Sequence, residues 1–376
     1  MPVTETETPG ARSTEQVGER ECPFIIDAHI DLAWNWLDLG RHPGESALAS
    51  RPRESGTAVP TVMGVRTTGL SQWLSARVGI IFATVFVMPA TRAESDLFGQ
   101  TYRTVQEADD RARHQVDAYR RLVDEEPQFA LVTGQQELES VVTAWKDRTS
   151  DPRVGIVLLM EGADPIREPA EVHDWYERGL RLIGPAWAAT RYSGSCNEPG
   201  PLSPLGKHLL DEMADLNMVL DLSHMADEAA FQALDSYPGP VIASHSNPKR
   251  IANVARNLSD DLIRNLAARQ GVIGVVPFNG FLKTGWRRGD RRDDISLHRV
   301  ADAVDHIAQV TGSCDHVGLG TDLDGGFGAE SLPVEMDSAA DLPLICRLLR
   351  ERGYSPTDLD SIHHGNWLRV LRNCLP

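Results

Sequence analysis

Eight apolar runs of strand length recur along the chain, at residues 24–31, 78–87, 154–161, 180–187, 218–224, 241–245, 271–277 and 317–322. Most are nearly continuous in Val, Ile, Leu and Ala, with no polar residue at alternate positions. Continuous apolar strands belong to parallel sheets covered on both faces; a half-exposed sheet alternates instead. Between the runs lie amphipathic stretches that predict helices over 104–125, 206–216 and 258–269. The second spaces Leu209, Leu210, Met213 and Leu216 along one helix face, and the third opens on a cap sequence, Ser259-Asp260-Asp261. Eight strands alternating with helices predict a (β/α)8 TIM-like barrel. An open doubly wound sheet is the weaker alternative, because no Gly-x-Gly-x-x-Gly follows the first strand. Two stretches rich in Gly, Pro, Arg and Thr, at 41–75 and 281–296, read as long loops near the barrel mouth.

The 376 residues suit one large domain, expected over 23–376, preceded by a polar leader at 1–22 expected to be disordered. No basic start followed by an apolar run marks a secretory signal, and no run of eighteen apolar residues exists. A net charge of −17 argues against nucleic acid or an anionic membrane as partner. The five cysteines are scattered and odd in number, without Cys-x-x-Cys spacing, as expected for a reduced, cytoplasmic protein.

The chemistry lies where the strands end. The first run closes on His29 and Asp31, two positions apart and therefore on one face of an extended strand. The third closes on Glu161, the fifth on His224, the sixth on His245, and the eighth on Asp322 and Asp324 before a Gly-Gly turn. Any one of these describes an ordinary strand end or turn residue. Together they place imidazoles and carboxylates at the same position of five strands, the rim where barrel active sites form. Six donors exceed what one tetrahedral ion needs, which points to two divalent ions: zinc, with manganese or cobalt as substitutes. Glu161 is placed to bridge them, and Asp322 to take and return a proton. The chemistry expected is metal-assisted hydrolysis of an amide or ester, using water whose pKa is lowered to about 7. No Gly-x-Ser-x-Gly or Cys/His nucleophile pattern competes with it. His363-His364 reads as a surface pair, His306 as a packing residue, and His173 and His208 as helix-surface residues. Asp324 orients a ligand or forms the turn.

The runs DAHIDLAWN, LLMEGAD, PLSPLGKHLLDEMADLNMVLDLSHMAD, VIASHSNPKRIANVARNLSDD, VGLGTDLDGG and GNWLRVL resemble the membrane (renal) dipeptidase family, zinc metallopeptidases of the amidohydrolase-like barrels. The resemblance runs from about residue 24 to 372. It implies that His29 and Asp31 bind one zinc ion, His224 and His245 the second, and that Glu161 bridges them. It also implies that Asp322 protonates the leaving amine and that Arg256 holds the substrate's C-terminal carboxylate, a pairing an arginine fork suits. The implied substrate is a short peptide, a dipeptide that can carry a C-terminal D-residue, and the implied assembly is a homodimer. The chain departs from the family at Trp187, where the family's dipeptidases have a histidine steadying the tetrahedral intermediate. An indole donates one hydrogen bond and cannot become a cation. Losing one oxyanion donor costs a factor of about 10² to 10³. Either Arg191 or Tyr192 substitutes, or the metals alone polarise the carbonyl, or the substrate differs, with Trp187 as an apolar pocket wall. The alternatives are therefore a binuclear amidohydrolase acting on another small amide, lactam or N-acyl amino acid, and a catalytically weak metal-binding member.

Overall fold

The computed structural model describes residues 22–93, 101–147 and 152–376, so the expected leader lies outside the described residues but for Cys22. All eight expected strands form: β1 Ile25–Ile30, β2 Val78–Phe86, β3 Val154–Glu161, β4 Leu180–Gly184, β5 Val219–Asp221, β6 Val241–Ile242, β7 Ile273–Val275 and β8 Val317–Leu319. Each pairs in parallel with the next from β1 through β6, β7 pairs with β8, and β8 returns to β1 at Asp27 beside Leu319. The last seam, β6 to β7, is thin: one bridge between Ala243 and Ile273, with Gly274 N–H donating to Ala243 O at 2.8 Å. That seam requires glycine. A Cβ on Gly274 or Gly320 would stand 1.9 or 1.7 Å from the carbonyl oxygen of Ser244, so only bare backbone lets the sixth strand's end approach its neighbours. The barrel is nearly closed.

Every residue of β2 and β3 is buried, which is why both read as unbroken apolar runs. The helix Val105–Glu125 starts on a capping box in which Thr104 and Glu107 satisfy each other's backbone N–H groups. Ser203 caps Pro204–Asp215 and Ser259 caps Asp260–Ala268. Among the described residues no helix is long and apolar enough to cross a membrane.

Two expectations are corrected. The stretch 41–75 is not a plain loop: it holds the helices Ala47–Glu54, Val59–Met63 and Leu70–Ala76. Two buried arginines organise it. Arg66 donates to the carbonyls of Thr68 and His42 and to Ser50 Oγ, while Arg41 donates to Glu54 and to the carbonyl of Gly64. The stretch 281–296 is largely irregular, with the end of a short helix, Asn279–Leu282, and a 3₁₀ turn at Arg292–Asp294. His363 and His364 are not a surface pair either. They sit in a π-helical turn, Ser361–Gly365, with His363 fully buried and His364 stacked on Phe24, ring centroids 4.2 Å apart. Burial pushes both imidazoles down to about 4. His173 and His208 are exposed as expected and share Glu212, and His306 is half-buried against Asp260.

Candidate metal centre

The strand ends converge as their spacing predicts. His29 leaves β1 fully buried, and Asp31 follows it around the start of the next helix. Glu161 is the last residue of β3, while His224, His245 and Asp322 follow β5, β6 and β8 by three residues each. His224 and Asp322 hold left-handed backbone, φ 65° and 56°. Non-glycine residues adopt it at a cost that clusters at functional sites.

One carboxylate oxygen lies at the middle. Glu161 Oε1 is 3.0 Å from His224 Nε2 and 3.5 Å from both His29 Nε2 and His245 Nε2. His29 Nε2 also faces Asp31 Oδ1 at 3.8 Å and Asp322 Oδ1 at 4.0 Å. These atoms form two donor groups, Glu161/His224/His245 and His29/Asp31/Asp322, each within 4.8 Å. Two donors on one tetrahedral ion, each about 2.1 Å from it, lie about 3.4 Å apart. The 3.5 Å contacts of Glu161 with His29 and His245 match that spacing and exceed good hydrogen bonds, while the 3.0 Å contact with His224 is of hydrogen-bond length. His29 Nε2, buried and without a hydrogen-bond partner, fits the same reading.

The electrostatics agree. Burial, then the charge of Glu161, raises Asp31 to about 7. Burial, Asp31 and Glu161 push Asp322 well above the carboxylate range. Burial opposes charge on His29, but Glu161, Asp31 and Asp322 outweigh it and raise the ring to about 10. Glu161 is held below its usual range, because His29 and His224 overcome the effect of burial. Burial and Arg256 lower His224 to about 4, and burial with His29 lowers His245 well below normal. Crowded carboxylates beside three imidazoles, two of them held neutral and the third charged only by its carboxylate neighbours, are a donor set in which a divalent cation can take the place of protons.

Several partners carry no signal in the strand-end pattern. Thr84 Oγ1 donates to Asp31 Oδ1 at 2.5 Å. Asp27 accepts from the N–H and hydroxyl of Thr321, and Asp221 does the same for Ser244. Asp27 could have been found, since it lies two residues before His29 on the same strand face.

Above the donors opens a cleft of about 500 Å³. Two aromatic clusters line it, one of Trp34, Phe86 and Trp187 and one of Phe278, Phe281 and Phe327. Trp187 packs its ring 5.0 Å from Phe86 and 6.4 Å from His224. Arg191 and Tyr192 do not replace it, because both turn away to the carbonyl of Ile166. Arg256 is buried, with Nη1 on Ser246 Oγ at 2.8 Å, Nη2 on the carbonyl of His245 at 2.5 Å, and Nε without a partner. Sequence reasoning missed Arg92 and Arg288, which also line the cleft.

A nearly closed parallel barrel with imidazoles and carboxylates at its C-terminal rim is a fold suited to metal-dependent hydrolysis. Solved structures share it. The probable dipeptidase PvdM of Pseudomonas aeruginosa superposes with a TM-score of 0.76 at 20% identity, covering 94% of this chain and 95% of that one. A metallopeptidase of Rhodobacter sphaeroides, liganded with a phosphinate mimic of L-Ala-D-Ala, gives 0.73 at 21% identity over 94% and 99%. An uncharacterized protein in the pqqA 5′ region of Klebsiella pneumoniae is 34% identical over 233 residues, 59% of this chain and 83% of that protein. Dipeptidase 3 of Rattus norvegicus is 27% identical over 272 residues, 69% of this chain, and the match spans about half (51%) of that protein. Residues 19–374 match the model of membrane dipeptidase, peptidase family M19, and the chain belongs to that family. Membership places it among the metal-dependent dipeptidases.

Proposed function

We propose that the centre holds two zinc ions, one on His29 and Asp31 and one on His224 and His245, with Glu161 between them, and that the chain hydrolyses dipeptides. One observation carries the reading: a single Glu161 oxygen within 3.5 Å of three imidazole Nε2 atoms. Bound there, the ions supply Lewis acidity toward a carbonyl and a water activated at neutral pH. The protein's own groups do the rest. Asp322, held protonated more readily than an ordinary carboxyl, takes a proton and returns it to the leaving amine. Two of the five guanidinium N–H groups of Arg256 fix it to Ser246 and the His245 carbonyl, and its Nε, without a partner, is offered to the substrate's carboxylate. The aromatic walls exclude water and favour apolar side chains on a short substrate. Acceptance of a C-terminal D-residue rests on the family resemblance, with the L-Ala-D-Ala mimic in the R. sphaeroides structure in its favour. A homodimer and a cytoplasmic location complete the reading; the five unbridged cysteines support a reducing compartment.

The test is a panel of L,L and L,D dipeptides with zinc-loaded protein, alongside Asp322→Asn. Turnover that falls about 10²- to 10⁴-fold in the variant while zinc stays bound supports the assignment. A zinc-replete protein that hydrolyses no dipeptide refutes it. Trp187 favours a second reading, a small amide, lactam or N-acyl amino acid as substrate; activity on those alone selects it.

A further inference from the structure

A third donor group lies on the inner side of the centre, formed by His29, Asp221 and His245. It differs from the other two because a protein hydroxyl already bonds all three members. Ser244 Oγ, fully buried, is 2.5 Å from Asp221 Oδ2, 2.8 Å from His245 Nδ1 and 3.2 Å from His29 Nδ1. We infer that Ser244 is the positioning residue that fixes the ring tautomers of His29 and His245 together, so that both present Nε2 toward Glu161. The inference rests on the metal-centre reading proposed above.

The argument is a count of protons and lone pairs. A serine hydroxyl has one proton to give and two lone pairs. An ionised carboxylate only accepts, so the proton of Ser244 goes to Asp221. Both lone pairs then face the two Nδ1 atoms, which must each carry hydrogen. A neutral imidazole protonated at Nδ1 has its free electron pair at Nε2, the atom that lies 3.5 Å from Glu161 Oε1 in both rings. Ser223 Oγ, 3.3 Å away, is the most distant of the four neighbours and is already used as acceptor by the His245 N–H. The rings also lie against each other, centroids 3.6 Å apart and tilted by 30°, so one hydroxyl sets orientation and tautomer for both. Asp221 anchors the hydroxyl, its other oxygen taking the backbone N–H groups of Ser223 and Ser244. Nothing can shift the serine outward, because its carbonyl is wedged between Gly274 and Gly320. Metal-bound histidines are commonly steadied by one hydrogen-bond partner each. Here two ligands, assigned to different ions, share one.

The test has two arms. In zinc-loaded wild type with ¹⁵N-labelled histidine, long-range ¹H–¹⁵N correlation should show both His29 and His245 protonated at Nδ1. A proton on Nε2 of either ring overturns the inference without any variant. In the second arm, Ser244→Ala should weaken zinc binding by about 10- to 100-fold in chelator competition. The melt of the zinc-free variant serves as the folding control. Zinc affinity within threefold of wild type overturns the inference and leaves the metal centre standing. Wild-type protein that takes up no zinc overturns the metal centre itself, and this inference with it.

Discussion

Asp324 gives the sharpest stability prediction. It is buried two residues past Asp322, and its carboxylate accepts four hydrogen bonds from two consecutive threonines. Oδ1 takes Thr67 N–H and Oγ1–H, both at 2.8 Å; Oδ2 takes Thr68 N–H at 2.9 Å and Oγ1–H at 2.6 Å. Arg41 Nη1 lies 3.8 Å from Oδ1. The 41–75 excursion is thereby tied to the turn that carries Asp322. Asp324→Ala orphans two backbone N–H groups, each costing about 1–3 kcal/mol, and leaves Arg41 with less neutralisation; the hydroxyls can turn to other acceptors. The sum is about 4 kcal/mol. Unfolding entropy of about 2.1 cal/mol/K per residue over 376 residues converts this to a melting shift of about 5 °C.

Asp324→Asn should cost roughly half as much, since its oxygen still serves Thr67 while its amide meets the Thr68 N–H donor to donor. Differential scanning calorimetry on zinc-loaded protein reads both shifts. Turnover should fall more than about tenfold in the alanine variant, because the left-handed pair Asp322 and Asp324 loses its clamp. A melting point within 1 °C of wild type, with unchanged kcat/KM, would refute the claim that this carboxylate holds the rim together.

Glu161→Gln should lower zinc affinity more than about a hundredfold, read by metal content after dialysis, because it removes the charge shared by three histidines. Trp187→His should raise dipeptide kcat by up to about 10²-fold with little change in KM if the indole marks a missing oxyanion donor; unchanged or lower kcat selects the wall reading. His363 is buried neutral with its pKa lowered to about 4, so the unfolded chain binds the proton first. Its stabilising contribution is complete above about pH 6.5 and is lost as the pH falls toward 4, about 3 kcal/mol in all. His363→Phe should remove one proton's worth of slope, about 1.4 kcal/mol per pH unit, from urea-melt stability between those limits; parallel slopes would contradict it.

What the sequence made legible is what depends on one strand at a time. A strand covered on both faces must be apolar throughout, so β2 and β3 announce themselves. A side chain that reaches the rim must follow such a strand, so His29, Glu161, His224, His245 and Asp322 stand out by position. The hidden features depend on partners remote in sequence. Arg41 and Arg66 look like loop residues until the carbonyls they bind are in place, and those carbonyls are what turn 41–75 into short helices. His363 and His364 look solvated because a polar pair near a chain end usually is; their burial comes from packing beneath β1 and β8. The contacts of Arg256 were equally invisible, since its acceptors are a backbone carbonyl and a hydroxyl eleven and ten residues earlier in its own loop, reached only once that loop folds back.

Those remote partners follow one chemical rule. Asp27 grips the N–H and hydroxyl of Thr321, Asp221 those of Ser244, and Asp324 those of Thr67 and Thr68. Each clamp joins segments that the barrel's own ladder holds weakly at the rim: β1 to the end of β8, β5 to the end of β6, and the β8 turn to the excursion. Each also stands within two residues of a centre donor: Thr321 precedes Asp322, Ser244 precedes His245, and Asp324 follows Asp322 by two. A charged acceptor taking two donors from one residue fixes both backbone and side chain of that residue, more than a neutral hydrogen bond does. Asp31, Glu161 and Asp322 crowd one another closely enough to raise the first and the last toward the protonated form, and the clamps hold that crowded arrangement in place. The donor geometry is therefore preorganised by carboxylates outside the two donor groups assigned to the ions. Removing a clamp should loosen the centre even where every ligand remains.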